Sequence, residues 1–145
     1  MDLKLIGEVI LWAATLGGGF WALWNYHKSA KLERAKWMKE LYEKFYEHDE
    51  LKKIRDKLDG GNPKEISDLV VQECSCFTDY MNFFEFLAYL HESGQISLEE
   101  IRGMFDYYLR TLKENKHVAD YIADPKKGFE KLQRLLEMLD EKGRR

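Results

Sequence analysis

The sequence predicts an all-α chain: an N-terminal transmembrane helix that continues into an amphipathic helix and then a small helical bundle. Three observations carry this. Residues 5–24, LIGEVILWAATLGGGFWALW, form the longest apolar run, and no formal charge occurs from Val9 to Tyr26. Apolar residues after that run recur at helical spacing among Lys and Glu. Helix starts and glycine stops punctuate the remainder, with only two prolines in 145 residues. The expected boundaries are 1–26 for the transmembrane helix, 27–61 for an amphipathic connector and 62–145 for the bundle.

At about 1.5 Å per residue, a helix over 5–24 spans about 30 Å, the thickness of a bilayer's hydrocarbon. A cleaved signal peptide is the first competing reading. It needs a basic leader, a shorter apolar core and a small-x-small cleavage site. Here Lys4 is balanced by Asp2 and Glu8, and no such site follows. A buried helix of a soluble protein is the second. Such helices seldom stay uncharged this long or gather Trp21, Trp24 and Tyr26 at one end, as an interfacial aromatic belt does. Lys28, Lys31, Arg34, Lys36, Lys39 and Lys44 follow the run, whereas Lys4 alone precedes it. The positive-inside rule then puts the N-terminus outside and the C-terminal domain in the cytoplasm.

On a helical wheel Glu8, Thr15, Gly19, Ala22 and Tyr26 fall within about 40° of one line, with Gly18 beside them. Ala14, Gly18 and Ala22 form a small-xxx-small row that lets helices approach closely in lipid. A carboxylate near the membrane edge faces a partner or water in preference to lipid. Glu8, Thr15, Gly18, Gly19 and Ala22 are therefore the candidate homo-oligomer face and a candidate pore lining. The plainer reading seats Glu8 among headgroups and makes the glycines incidental.

Past the membrane run, Leu32, Trp37, Leu41, Phe45 and Tyr46 mark an amphipathic helix to about residue 48. A short helix over 49–58 ends at Gly60 and Gly61. Asn62-Pro63-x-Glu65 restarts the chain with an N-cap and a first-turn proline. One long helix is expected over 63–92, apolar on most sides and hence central. Asn82 and Glu85 lie on its polar strip, either contacting a partner or ligand or bonding to a neighbouring helix. Gly94 ends it, and Ser97-x-x-Glu100 is a capping box for a helix running to about residue 116. A short turn over 117–123 follows. Asp124-Pro125 is expected to cap the last helix, which carries Phe129, Leu132, Leu135, Leu136 and Leu139.

Composition bounds the chemistry. With 34% charged and 45% hydrophobic residues, the part beyond the membrane run is globular. Net charge is −3, of which Asp2, Lys4 and Glu8 contribute −1. The remaining −2 excludes a general nucleic-acid binder, though not a local basic patch. Cys74 and Cys76, in CSC, are too close for a CxxC pair and read as two reduced thiols in a helix. FLAYLHESGQISLEE has the outline of a calcium loop, but Tyr89, His91 and Ser93 stand where carboxylates are required. GGG at 17–19 follows no strand, and GxSxG and HExxH are absent. No metal site and no cofactor are expected.

Arg110 and His117, with six residues between them, resemble the Arg-x4–6-His motif of HEPN-type ribonucleases. That resemblance implies a dimer that pairs two such motifs, His as general acid or base and Arg stabilising phosphate charge. The plainer reading is a surface Arg and a helix-terminal His. NFFEFLAYLHESGQIS, within residues 80–100, resembles the central motif of a bacterial family of small single-pass membrane proteins of unassigned activity. It implies a single-pass protein of the bacterial inner membrane. The layout also resembles membrane effectors of CRISPR-associated and anti-phage systems. The expectation is a non-enzymatic, homo-oligomeric effector whose partner is the lipid membrane. The alternatives are a membrane-tethered HEPN-like ribonuclease acting on RNA, and a scaffold binding a cytosolic protein.

Overall fold

The computed structural model describes the backbone of residues 3–72 and 74–143, and the side chains of residues 21, 24–72 and 74–140. Among the described residues the chain is helical, with no strand. Its elements are α1 (Leu3–Glu47), α2 (Asp49–Asp59), α3 (Pro63–Gln72), α4 (Ser75–Glu92), α5 (Leu98–Glu114), α6 (Lys116–Ala123) and α7 (Glu130–Gly143). The chain divides into two compact units, 1–43 and 44–145. The first holds α1 as far as Glu43, with the described side chains from Trp24 to Lys36 all exposed, and the last residues of α1, from Lys44, belong to the second.

The second unit includes α2, which the sequence reading assigned to the connector. Leu51, Ile54, Arg55 and Leu58, at i, i+3, i+4 and i+7, give α2 a buried stripe that packs on α4. Gly61, with φ 62°, turns the chain after α2 in the left-handed region that glycine enters without steric cost. Asn62 Oδ1 then accepts from the Lys64 N–H at 3.1 Å, and Asn62 Nδ2 donates to Glu65 at 3.1 Å. This is the expected N-terminal signal at work.

The expected long helix over 63–92 is two helices. Cys74, with ψ 147°, leaves the helical region and caps α4, its carbonyl accepting from the Phe77 and Thr78 N–H groups. Breaking the helix lets α3 bury Ile66 and Leu69 beside α2 and α6, while α4 packs against α2 and α7.

α4 is central, burying Phe77, Tyr80, Met81, Phe83, Phe84, Leu87, Ala88 and Leu90. Phe45, at the end of α1, sits in an aromatic cluster. Its ring stacks on Phe83 at 4.9 Å and meets Phe105 edge-on at 5.2 Å and Tyr108 at 5.0 Å. The capping box forms as read. Ser97 Oγ accepts from the Glu100 N–H at 3.2 Å, and Glu100 accepts from the Ser97 N–H at 2.8 Å. α5 ends two residues short of expectation because Asn115 caps α6, its Oδ1 accepting from the Val118 N–H at 3.3 Å. Asp124 caps only a local turn, through the Lys126 N–H at 3.0 Å, and the last helix begins at Glu130.

Candidate functional site

Glu8, Thr15, Gly18, Gly19 and Ala22, the candidate assembly face, lie outside the residues whose side chains are described. Among the described residues no helix is long and apolar enough to cross a membrane. Just beyond residue 20, three large aromatic side chains are exposed: Trp21 at 69%, Trp24 at 64% and Tyr26 at 71%. Lys28, Lys31, Arg34, Lys36 and Lys39 follow, all exposed. Lys39 meets Glu43 at 3.0 Å, one turn on.

Arg110 lies on α5 and His117 at the start of α6. Arg110 lines an open groove of about 780 Å3 between α5 and α7, and His117, exposed on α6, is not among its lining residues. The groove's cations already have anionic or carbonyl partners. Arg110 bridges Asp106 at 2.8 Å, Lys113 pairs with Asp140, and Arg102 Nη2 donates to the Leu139 carbonyl. A phosphate in this groove would compete with both carboxylates, so within one chain Arg110 is a weak anion site.

Asn82 and Glu85 also part company. Asn82 is exposed, beside a groove of about 310 Å3 that Phe83 and Phe86 help to line. Phe86 and Tyr89 stack at 6.5 Å on the outer face of α4, about half exposed. Glu85 is tied to α7: its carboxylate accepts from the Leu132 N–H at 2.7 Å and the Lys131 N–H at 3.4 Å. Those are N–H groups of the first helical turn, which have no partner within the helix. Glu85 is thus a long-range helix cap, the structural alternative of its two readings.

Arg55 was missed. It is only 6% exposed, the one charged side chain found buried among the described residues. Its guanidinium donates to the Phe45 carbonyl and, at 3.0 Å, to the Tyr46 carbonyl, and stands 4.7 Å over the Phe45 ring. It neutralises the C-terminal carbonyls of α1, where a cation is favoured by the helix dipole. Its place in the α2 stripe, between Ile54 and Leu58, was the available signal.

Cys74 and Cys76 are both free thiols, their sulfurs 2.8 Å apart. The hydrogen bond to Cys74, reinforced by burial, pushes the Cys76 thiol up from its ordinary value. Among the described residues no cluster of three or more His, Cys, Asp or Glu could hold a metal. Protein-family models, curated proteins and solved structures offer no match to the chain.

Proposed function

We propose that the chain is a single-pass protein of the bacterial inner membrane, anchored by Leu5–Trp24, that self-associates through Glu8, Thr15, Gly18, Gly19 and Ala22. Its helical unit lies in the cytoplasm, and the assembled protein perturbs the membrane as a defence effector. The observation that carries the reading is the order of its parts: an uncharged stretch from Val9 to Tyr26, closed by Trp21, Trp24 and Tyr26, then five basic residues by Lys39. The exposure of that aromatic trio and of the lysines supports it, since neither is committed to a protein core.

Alkaline carbonate extraction of expressing cells tests the anchor. Full retention in the membrane pellet is the expected outcome, and release into the supernatant refutes it. Light scattering in detergent tests assembly. A multimer that Gly18→Leu/Gly19→Leu reduces to monomer is expected, and a strictly monomeric parent removes the effector reading.

A second reading, a scaffold for a cytosolic protein, is favoured by the exposed Phe86–Tyr89 stack. Phe86→Ser/Tyr89→Ser tests it, because Phe83 is buried and its substitution would disturb the fold. An unchanged phenotype with an intact fold counts against it.

A further inference from the structure

We propose that the basic stretch of α1 from Lys28 to Lys39 is a docking surface for anionic phospholipid headgroups. This rests on the membrane reading above and extends it by naming the lipid class. Residues 27–39 carry five cations, Lys28, Lys31, Arg34, Lys36 and Lys39, against Glu33 alone, a net charge of +4. Residues 40–145 carry 17 cations and 23 acids, a net charge of −6. The chain therefore concentrates its positive charge in thirteen residues and keeps the rest acidic. All five cationic side chains are exposed.

Position selects the partner. Along the helix axis Lys28 lies about 6 Å from Trp24 and Lys31 about 10 Å, within or near one Debye length at physiological salt. With Trp24 at the headgroup level, these ammonium groups reach the phosphates, their stems lying along the helix as snorkelling lysines do. Lys36, about 18 Å from Trp24, extends the same field outward. The acidic remainder is repelled by an anionic surface, so attraction is confined to this stretch and orients the protein on it. RNA is the other polyanion to weigh. Single-stranded RNA sites interleave cations with aromatic side chains that stack on bases. From Lys28 to Lys39 the one aromatic residue is Trp37, which is half-buried, so the cations are not interleaved with stacking side chains. Trp21, Trp24 and Tyr26 stand together at the N-terminal edge, the arrangement of an interface belt.

The test uses the full chain reconstituted in phosphatidylcholine vesicles containing brominated phosphatidylglycerol or, in the same proportion, brominated phosphatidylcholine. Bromine quenches tryptophan on contact, so in a Trp12→Phe/Trp37→Phe background relative quenching reports which lipid surrounds Trp21 and Trp24. The expected result is a preference for phosphatidylglycerol of about fivefold or more, the effect of at least one cation near the surface. It should fall to near parity in Lys28→Gln/Lys31→Gln/Lys36→Gln and persist in the matching Lys→Arg triple, with helix content unchanged in both. Equal quenching by the two lipids in the parent overturns the proposal and leaves the membrane reading standing. No quenching by either lipid overturns the membrane reading and the proposal with it. Loss of the preference on adding stoichiometric single-stranded RNA identifies the stretch as an RNA surface and also overturns the proposal.

Discussion

Glu85→Ala removes a cap that belongs to one helix and serves another. In the parent, the Leu132 N–H reaches the Glu85 carboxylate at 2.7 Å, a charge-assisted bond in a partly buried site. Hydrogen bonds to charged groups contribute about 1.5–3 kcal/mol. An anion at a helix N-terminus contributes up to about 2 kcal/mol in such geometry, and the two descriptions overlap rather than add. The Lys131 N–H bond at 3.4 Å and the Lys131 Nζ contact at 3.9 Å are long and add little. The expected loss is therefore about 2 kcal/mol, a fall in Tm of roughly 10 °C for a unit of about 100 residues. Glu85→Gln keeps a carbonyl acceptor without the charge and should lose about half as much. Arg134→Ala is the control. It breaks only the exposed Glu92–Arg134 bridge and should cost under about 0.5 kcal/mol. Urea and thermal unfolding of the full chain in one detergent, followed by circular dichroism, measures all three. A Glu85→Ala variant within about 0.5 kcal/mol of the parent, or a Gln variant as damaged as the Ala one, refutes the capping argument.

Three other outcomes follow from the same geometry. Arg55→Ala strands the Phe45 and Tyr46 carbonyls beside the aromatic cluster and should cost about 3 kcal/mol, with Arg55→Lys intermediate, both read by urea unfolding. The raised Cys76 thiol should alkylate more slowly than an ordinary thiol at pH 8. Cys74→Ala removes the leading cause and should accelerate Cys76 labelling, counted by mass spectrometry; an unchanged rate contradicts the hydrogen bond. The Tyr107 hydroxyl donates to Asp59 at 3.1 Å, which raises its phenol from 10.0. A raised folded pKa means the contribution is complete below the unfolded value near 10 and vanishes as pH rises through the folded one. Asp59→Asn should return the ultraviolet titration of Tyr107 toward the ordinary range and flatten that alkaline loss.

The helical class, α2, the Asn62 start, the Gly94 stop and the Ser97 capping box were legible because each is encoded within four residues of itself. Gly61 and Gly94 both take positive φ, as stop signals should. The errors fell where tertiary packing decides. Residues 63–92 contain no internal glycine or proline, so local chemistry reads them as one helix. The break at Cys74 lets α3 pack on α2 and α6 while α4 packs on α2 and α7, contacts between distant parts of the chain. Asp124-Pro125 had the composition of a helix start, yet Asp124 folds onto Lys126, and Gly128, with φ 79°, turns the chain before α7. Of the candidate site residues, Glu85 stands on a largely apolar helix, where a carboxylate must find a partner. That partner, the Leu132 N–H, lies 47 residues away, beyond any local pattern.

Arg55, Glu85 and Arg102 point to one device for closing this bundle. Arg55 donates to carbonyls at the end of α1, Glu85 accepts N–H groups at the start of α7, and Arg102 donates to the Leu139 carbonyl near α7's end. In each case the sign of the charge suits the nearby end of the helix dipole. α7 depends on this most. Its start has Phe129 where a Ser, Asp or Asn would serve as a local cap, and Phe129 is buried, packing on Tyr121 at 5.7 Å. The position that would cap the helix is thus spent on the core, and the cap comes from α4 instead. A 14-residue helix is marginal by itself in water. Its order is therefore conditional on α4 being in place, and amide exchange should show the first turn of α7 protected to the same degree as α4 in the parent. Glu85→Ala should lower that first-turn protection first while α4 keeps its own. Equal loss across both helices would mean that apolar packing alone holds α7, with the charge at its N-terminus incidental.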